Sequence, residues 1–131
     1  MFEKCNNTKE QGNIGLGSAI QYFTQHLYTV SLPLNDSQDY DLIIEDDKKE
    51  LKKVQVKTST QLKSNNTYKI NLRVMGGNSK ENYIHKNETE INYDILFILC
   101  DNGDRYIIPK EKIEALKNSI TVGKMYSEYK V

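Results

Sequence analysis

Residues 40–58 read Tyr40-Asp41-Leu42-Ile43-Ile44, then the charged run Glu45–Lys53, then Val54-Gln55-Val56-Lys57-Thr58. Two runs rich in β-branched residues, bounded by polar clusters, predict paired strands joined by a solvated turn. Side chains alternate across a strand, so Gln55 and Lys57 share one face while Val54 and Val56 point into the core. Asp41 stands where the first strand begins, fourteen positions before Gln55. Pairing across the turn carries it to the end of the second strand. A carboxylate, an amide oxygen and an ammonium then converge in a shallow cleft.

The flanking sequence completes an α/β pattern. Upstream, Leu16, Ile20, Phe23 and Leu27 recur at helical spacing, which predicts a helix over about Gly12–His26. Thr8 and Gln11 supply a capping-box-like entry. Gly12, Gly15 and Gly17 are spaced like a phosphate loop, but no strand precedes them and no Lys-Ser/Thr follows, so a close-packing helix face is the better reading. Tyr28, Val30 and Leu32 alternate in a short strand that Pro33 ends. Downstream, Thr67–Val74 alternates as a further strand, and Met75–Thr89 reads as a long polar loop. Ile95–Cys100 is a continuous apolar run, expected as a central strand covered on both faces. Asp101–Asp104 turns the chain into a returning strand, Arg105–Ile108. Pro109 opens a helix over Lys110–Asn118, and Gly123 marks a break before a polar tail. The connections between the central strands are too short for crossover helices, so the sheet is antiparallel or mixed.

Composition narrows the function classes. The 131 residues fit one domain, 1–131. Apolar residues at 37%, charged residues at 27% and mean hydropathy of -0.68 suit a polar globular chain with a modest core. Eighteen Lys+Arg balance eighteen Asp+Glu, which excludes a bulk-charge argument for nucleic-acid binding and excludes a polybasic membrane anchor. Cys5, Cys100, His26 and His85 are too few for a disulfide framework or a zinc site, and two reduced thiols are expected. Met1–Thr8 is polar rather than a signal peptide. Ile95–Cys100 is far too short to span a bilayer, so a cytoplasmic protein is expected.

The cleft residues have a chemical use. Mg²⁺, or Mn²⁺ in its place, is held by one or two carboxylates with neutral oxygens, water and substrate phosphate. Asp41 offers the anionic ligand, Gln55 a side-chain oxygen and Val56 a backbone carbonyl. Lys57 is placed to orient a water for attack on phosphorus, or to stabilise the charge that develops. The plain alternative is a surface hairpin whose polar face carries Asp, Gln and Lys by chance.

In this context, from Gly12–Phe23 through Tyr40–Ile44 and Val54–Thr58 to Asn92–Ile98 and Arg105–Pro109, the chain resembles the PD-(D/E)xK nuclease superfamily. Within it the chain is most similar to a branch with Gln in the variant acidic position, which includes a cyanobacterial group I intron homing endonuclease. The resemblance covers about Thr8 to Leu116. It implies a restriction-endonuclease-like core, a mixed central sheet flanked by helices. It also implies that Asp41 matches the metal-binding aspartate, Gln55 the variant acidic position and Lys57 the catalytic lysine. Two departures stand out. Tyr40 occupies the place of the motif's proline, and Leu16 stands where many relatives carry a first-helix glutamate. Glu10 is the candidate replacement for that acid, against simple compensation of the helix N-terminus.

Further candidates are Thr58, Ser59, Arg73 and Lys80 for contacts to DNA, with ordinary strand polarity as the alternative for the first two. Asp39 and Asp36 are weaker acidic candidates, read mainly as loop carboxylates. His85 and Lys86 share the long loop with Lys80. Lys48, Lys49, Lys52 and Lys53 read as a solvated basic turn that could touch a DNA backbone. The function expected is metal-dependent endonucleolytic hydrolysis of double-stranded DNA, site-specific in the homing manner, by a homodimer or homotetramer. The alternatives are a catalytically weakened nucleic-acid-binding or assembly module of the same fold, and a Holliday-junction-resolving nuclease.

Overall fold

The strand pair around Asp41 and Lys57 forms, and it lies within a five-stranded sheet. The computed structural model describes residues 1–72, 91–113 and 118–131. Among these, helix α1 (Thr8–Gln25) precedes β1 (Thr29–Ser31), β2 (Leu42–Glu45), β3 (Leu51–Ser59), β4 (Leu62–Lys63), β5 (Thr67–Asn71), β6 (Ile95–Cys100), β7 (Arg105–Pro109) and β8 (Ser119–Val122). The first sheet has the order β1-β2-β3-β6-β7, and β4-β5-β8 form a second. β3 is antiparallel to β2 and parallel to β6, so the main sheet is mixed.

Register decides what each face of the main sheet carries. Leu42 pairs with Val54, and Val56 with Phe97, so these side chains lie on one face and close a core with Ala19 and Phe23 of α1. The fully buried Phe23, Leu42, Val54 and Phe97 side chains each stabilise the fold by about 1.5–3 kcal/mol. On the opposite face Leu96, Ile98 and Cys100 pack against Tyr68, Ile70, Ile120 and Val122 of the second sheet. β6 is thereby covered on both sides, which is why its sequence is continuously apolar. Among the described residues a helix covers one face only, and a small sheet takes the place of a second helical layer. No described helix is long and apolar enough to cross a membrane.

Several boundaries differ from the sequence expectation, each for a local reason. The helix starts at Thr8, not Gly12, because Asn7 caps it. Asn7 Oδ1 accepts the Glu10 amide at 2.9 Å, and Glu10 Oε2 accepts the Asn6 amide at 2.7 Å. The reciprocal pair expected of Thr8 and Gln11 is thus made one residue earlier, by a stronger capping residue. At the other end Leu27 leaves the apolar stripe: it is 91% exposed, with φ +66°. Its amide donates to the Thr24 carbonyl and the Tyr28 amide to the Phe23 carbonyl, both at 3.0 Å, with the Phe23 and Tyr28 rings 5.9 Å apart. This is a Schellman closure with leucine where glycine is usual.

β3 begins at Leu51, earlier than Val54, because the turn needs only Asp46–Glu50. The Asp46 carboxylate accepts the Lys48 and Glu50 amides at 2.9 Å each, and Lys49 takes φ +65°. Ladder bonds are main-chain bonds, so charged side chains on a solvated row do not end a strand. The expected helix over Lys110–Asn118 is replaced, where described, by a single 3₁₀ turn at Lys110–Lys112 and an extended Ile113. Ser119–Val122, given no element in the sequence reading between the expected helix and the break at Gly123, is β8, with Ile120 and Val122 buried against β5. Cys5 and Cys100 are both free thiols, and burial pushes the Cys100 thiol up to about 12. Arg73, Lys80, His85, Lys86 and the loop Met75–Thr89 lie outside the described residues.

Candidate active site

β2 stops at Leu42 while β3 continues, so the Val56 N–H faces a gap in the ladder. Asp41 fills it. Its own amide donates to the Val54 carbonyl at 2.8 Å, and its Oδ2 accepts the Val56 amide at 2.8 Å. A buried backbone N–H left unpaired costs about 1–3 kcal/mol, so the aspartate meets a main-chain need and is fixed against β3 by the same bond. Burial raises the Asp41 pKa above the ordinary carboxylate value, opposed by the Val56 N–H and by the nearby Lys57 charge. Desolvation outweighs those two. A carboxylate under-compensated in this way gains from added positive charge.

Gln55 and Lys57 are half-buried on the same face of β3. The Gln55 amide nitrogen is 3.4 Å from the Val56 carbonyl oxygen. Asp41 and Gln55 thus both meet the Val56 main chain, with the Lys57 charge close enough to act on Asp41. These donors are hard oxygens: a carboxylate, an amide oxygen brought round by turning the Gln55 side chain over, and a carbonyl. They fit a small divalent cation that keeps part of its water shell. The set holds one carboxylate only. Among the described residues no three His, Cys, Asp or Glu side chains group as a metal site.

The other candidates divide clearly. Glu10 is exposed at the start of α1, and its carboxylate is taken by the Asn6 amide, which is the helix-terminus arrangement. Leu16 packs with the helix-side core. Thr58 points toward α1, where its Oγ1 accepts from Gln11 Nε2 at 2.8 Å. Ser59 is 3% exposed and its hydroxyl donates to the Lys69 carbonyl of β5, so it joins the two sheets and does not face a phosphate. Asp39 Oδ2 accepts from Asn92 Nδ2 at 2.9 Å, which ties the approach to Asp41 to the approach to β6. Asp36 is exposed in the preceding loop.

Two residues near the site escaped the sequence reading. Gln11 sits one position from the helix residue expected to matter, and only the packing of α1 on β3 brings it to Thr58. That packing depends on Gly15. A Cβ there would lie 2.5 Å from Thr58 Cγ2 and 3.3 Å from Val56 Cγ1, whereas Cβ atoms at Gly12 and Gly17 would meet nothing within 4 Å. Of the three glycines expected to pack closely, one does. Tyr40 is the other, since its ring lies 5.5 Å from Lys53 Nζ.

Comparison with known proteins agrees with the fold. No curated protein matches the chain. Among solved structures, the bacterial homing endonuclease I-Ssp6803I is similar in fold, with a TM-score of 0.67 and 21% identity over 93% of this chain and 80% of that one. The sequence model of the PD-(D/E)XK endonuclease family matches residues 6–129, essentially the whole chain, and the protein belongs to that family.

Proposed function

We propose that this protein is a Mg²⁺-dependent endonuclease that hydrolyses phosphodiester bonds in double-stranded DNA, with Asp41, Gln55 and Lys57 as its working side chains. The carrying observation is that one stretch of β3 backbone, Gln55-Val56-Lys57, is clamped by Asp41 through the Val56 amide. Asp41, the Gln55 amide oxygen and the Val56 carbonyl would hold the cation. When bound, that cation neutralises phosphate charge and makes water a better nucleophile at neutral pH. Lys57 donates to the attacking water or to a phosphoryl oxygen, orienting the first and stabilising charge on the second. Site-specific cutting of the homing type, and assembly as a homodimer or homotetramer, complete the proposal, because a chain of 131 residues reads a long site poorly alone.

Plasmid and long linear DNA incubated with the protein and Mg²⁺ or Mn²⁺ should be cut at discrete positions. Lys57→Ala and Asp41→Asn should not cut. Asparagine keeps an oxygen for the Val56 amide and removes only the charge. Undiminished cutting by either variant overturns the assignment, and light scattering that finds a strict monomer overturns the assembly.

The single carboxylate favours a second reading, a DNA-binding module that has lost catalysis. Mn²⁺ titration separates the two: the nuclease binds the ion through Asp41, and the relic binds DNA with no need of it.

A further inference from the structure

The four lysines of the charged run do not act together. Lys49 Nζ lies 3.8 Å from Glu45 and Lys52 Nζ 3.7 Å from Asp46, and Lys48 belongs to the turn itself, so the turn end is balanced by its own acids. Strand register separates the remaining one. Lys52 lies on the helix side with Val54 and Val56, whereas Lys53 lies on the side of Gln55 and Lys57, paired with Ile43. It is the exposed end of the row that carries the site. Its ammonium sits over the Tyr40 ring at 5.5 Å from the centroid, a cation–π distance. Tyr40 immediately precedes Asp41 and stands where the motif has proline.

Among the described residues, the acids near Lys53 are already occupied. Asp94 Oδ2 accepts the Lys53 amide at 2.9 Å, and its other oxygen faces Lys110 Nζ at 3.7 Å. Asp39 holds Asn92. Along β3 Lys53 precedes Gln55 by about 7 Å, the rise of two extended residues. That is a short reach from any phosphate seated at Asp41.

We propose that Lys53, steadied on the Tyr40 ring, binds a backbone phosphate of the DNA strand next to the one that reacts. It is a positioning residue, and the proposal rests on the nuclease reading of the same site. The pair would supply locally the positive charge that the balanced composition withholds.

The test is binding of a mixed-sequence duplex, followed by fluorescence polarisation across a KCl series with EDTA present so that nothing is cut. Lys53→Ala should weaken binding several-fold and lower the slope of log K against log[salt] by about 0.9, the loss of one phosphate contact. Lys53→Arg and Tyr40→Phe should keep the slope, because charge and ring both remain. Lys49→Ala removes the same charge at the turn end and should leave the slope unchanged. A slope indifferent to Lys53→Ala, or lowered equally by Lys49→Ala, overturns the proposal while plasmid cutting by the parent still stands. Absence of DNA binding by the parent overturns both readings. Cutting that survives Lys57→Ala, with the Lys53 effect intact, overturns only the catalytic assignment.

Discussion

The two faces of β3 carry different kinds of residue for different reasons. Toward α1 stand Val54, Val56 and Thr58, pressed against a helix whose backbone comes close only because residue 15 is glycine. On the other side stand Lys53, Gln55, Lys57 and Ser59, passing from solvent at one end to full burial at the other. One face holds the strand still. The other carries the polar groups of the proposed site, and if they act in catalysis that rigidity matters, since a catalytic group displaced by an ångström loses most of its effect.

The largest effect expected from breaking this contrast is on the polar face. Lys57→Ala and Asp41→Asn should each lower cleavage of plasmid by at least about 100-fold, the scale of removing one charge-stabilising group. Both should keep the far-ultraviolet circular dichroism of the parent. Asp41→Asn should also unfold at a slightly higher urea concentration at pH 7 without metal, because it removes a charge that burial disfavours.

The supporting face should answer in stability. Gly15→Ala should cost about 1–3 kcal/mol by urea unfolding, because the Thr58 methyl it meets cannot swing away while Gln11 holds the hydroxyl. Gly12→Ala and Gly17→Ala, with open space above them, should instead stabilise by about 1 kcal/mol through helix propensity. Equal effects at all three glycines would break the comparison.

A smaller change is expected at the end of α1. Leu27→Gly should stabilise the fold by about 1 kcal/mol, since the left-handed conformation is costly for leucine and its exposed side chain packs little. Labelling with a maleimide at pH 7 should modify Cys5 and spare Cys100, whose thiol stays protonated far above that pH until the protein unfolds. Modification of both at equal rates would show that the face of β6 toward the second sheet opens readily.

Much of this was legible in the residues because it depends on period. Alternation in Val54–Thr58 and the unbroken run Ile95–Cys100 predict where the strands lie and how each is covered. The spacing of Asp41, Gln55 and Lys57 predicts that Asp41 meets β3 beside them, as its bond to the Val56 amide shows. Elements decided by main-chain chemistry were harder to read: the cap at Asn7, the closure at Leu27, and β8, whose four residues leave room for only two buried positions. Among the site candidates, Glu10 and Ser59 have suitable side chains. Their neighbours claim them, one for a helix end and one for a junction between sheets.

By itself the sequence determined the alternation of β3 and the identity of its polar row, because a strand can show its side chains in only two directions. Which of those residues stand beside Asp41, and which are tied into the packing of the fold, was decided by tertiary structure. Only the staggered end of β2 exposes the Val56 amide to Asp41, only the packing of α1 brings Gln11 to Thr58, and only the pairing of β2 with β3 sets the Tyr40 ring under Lys53. Each depends on a neighbour distant in sequence, through bonds that the local pattern does not encode.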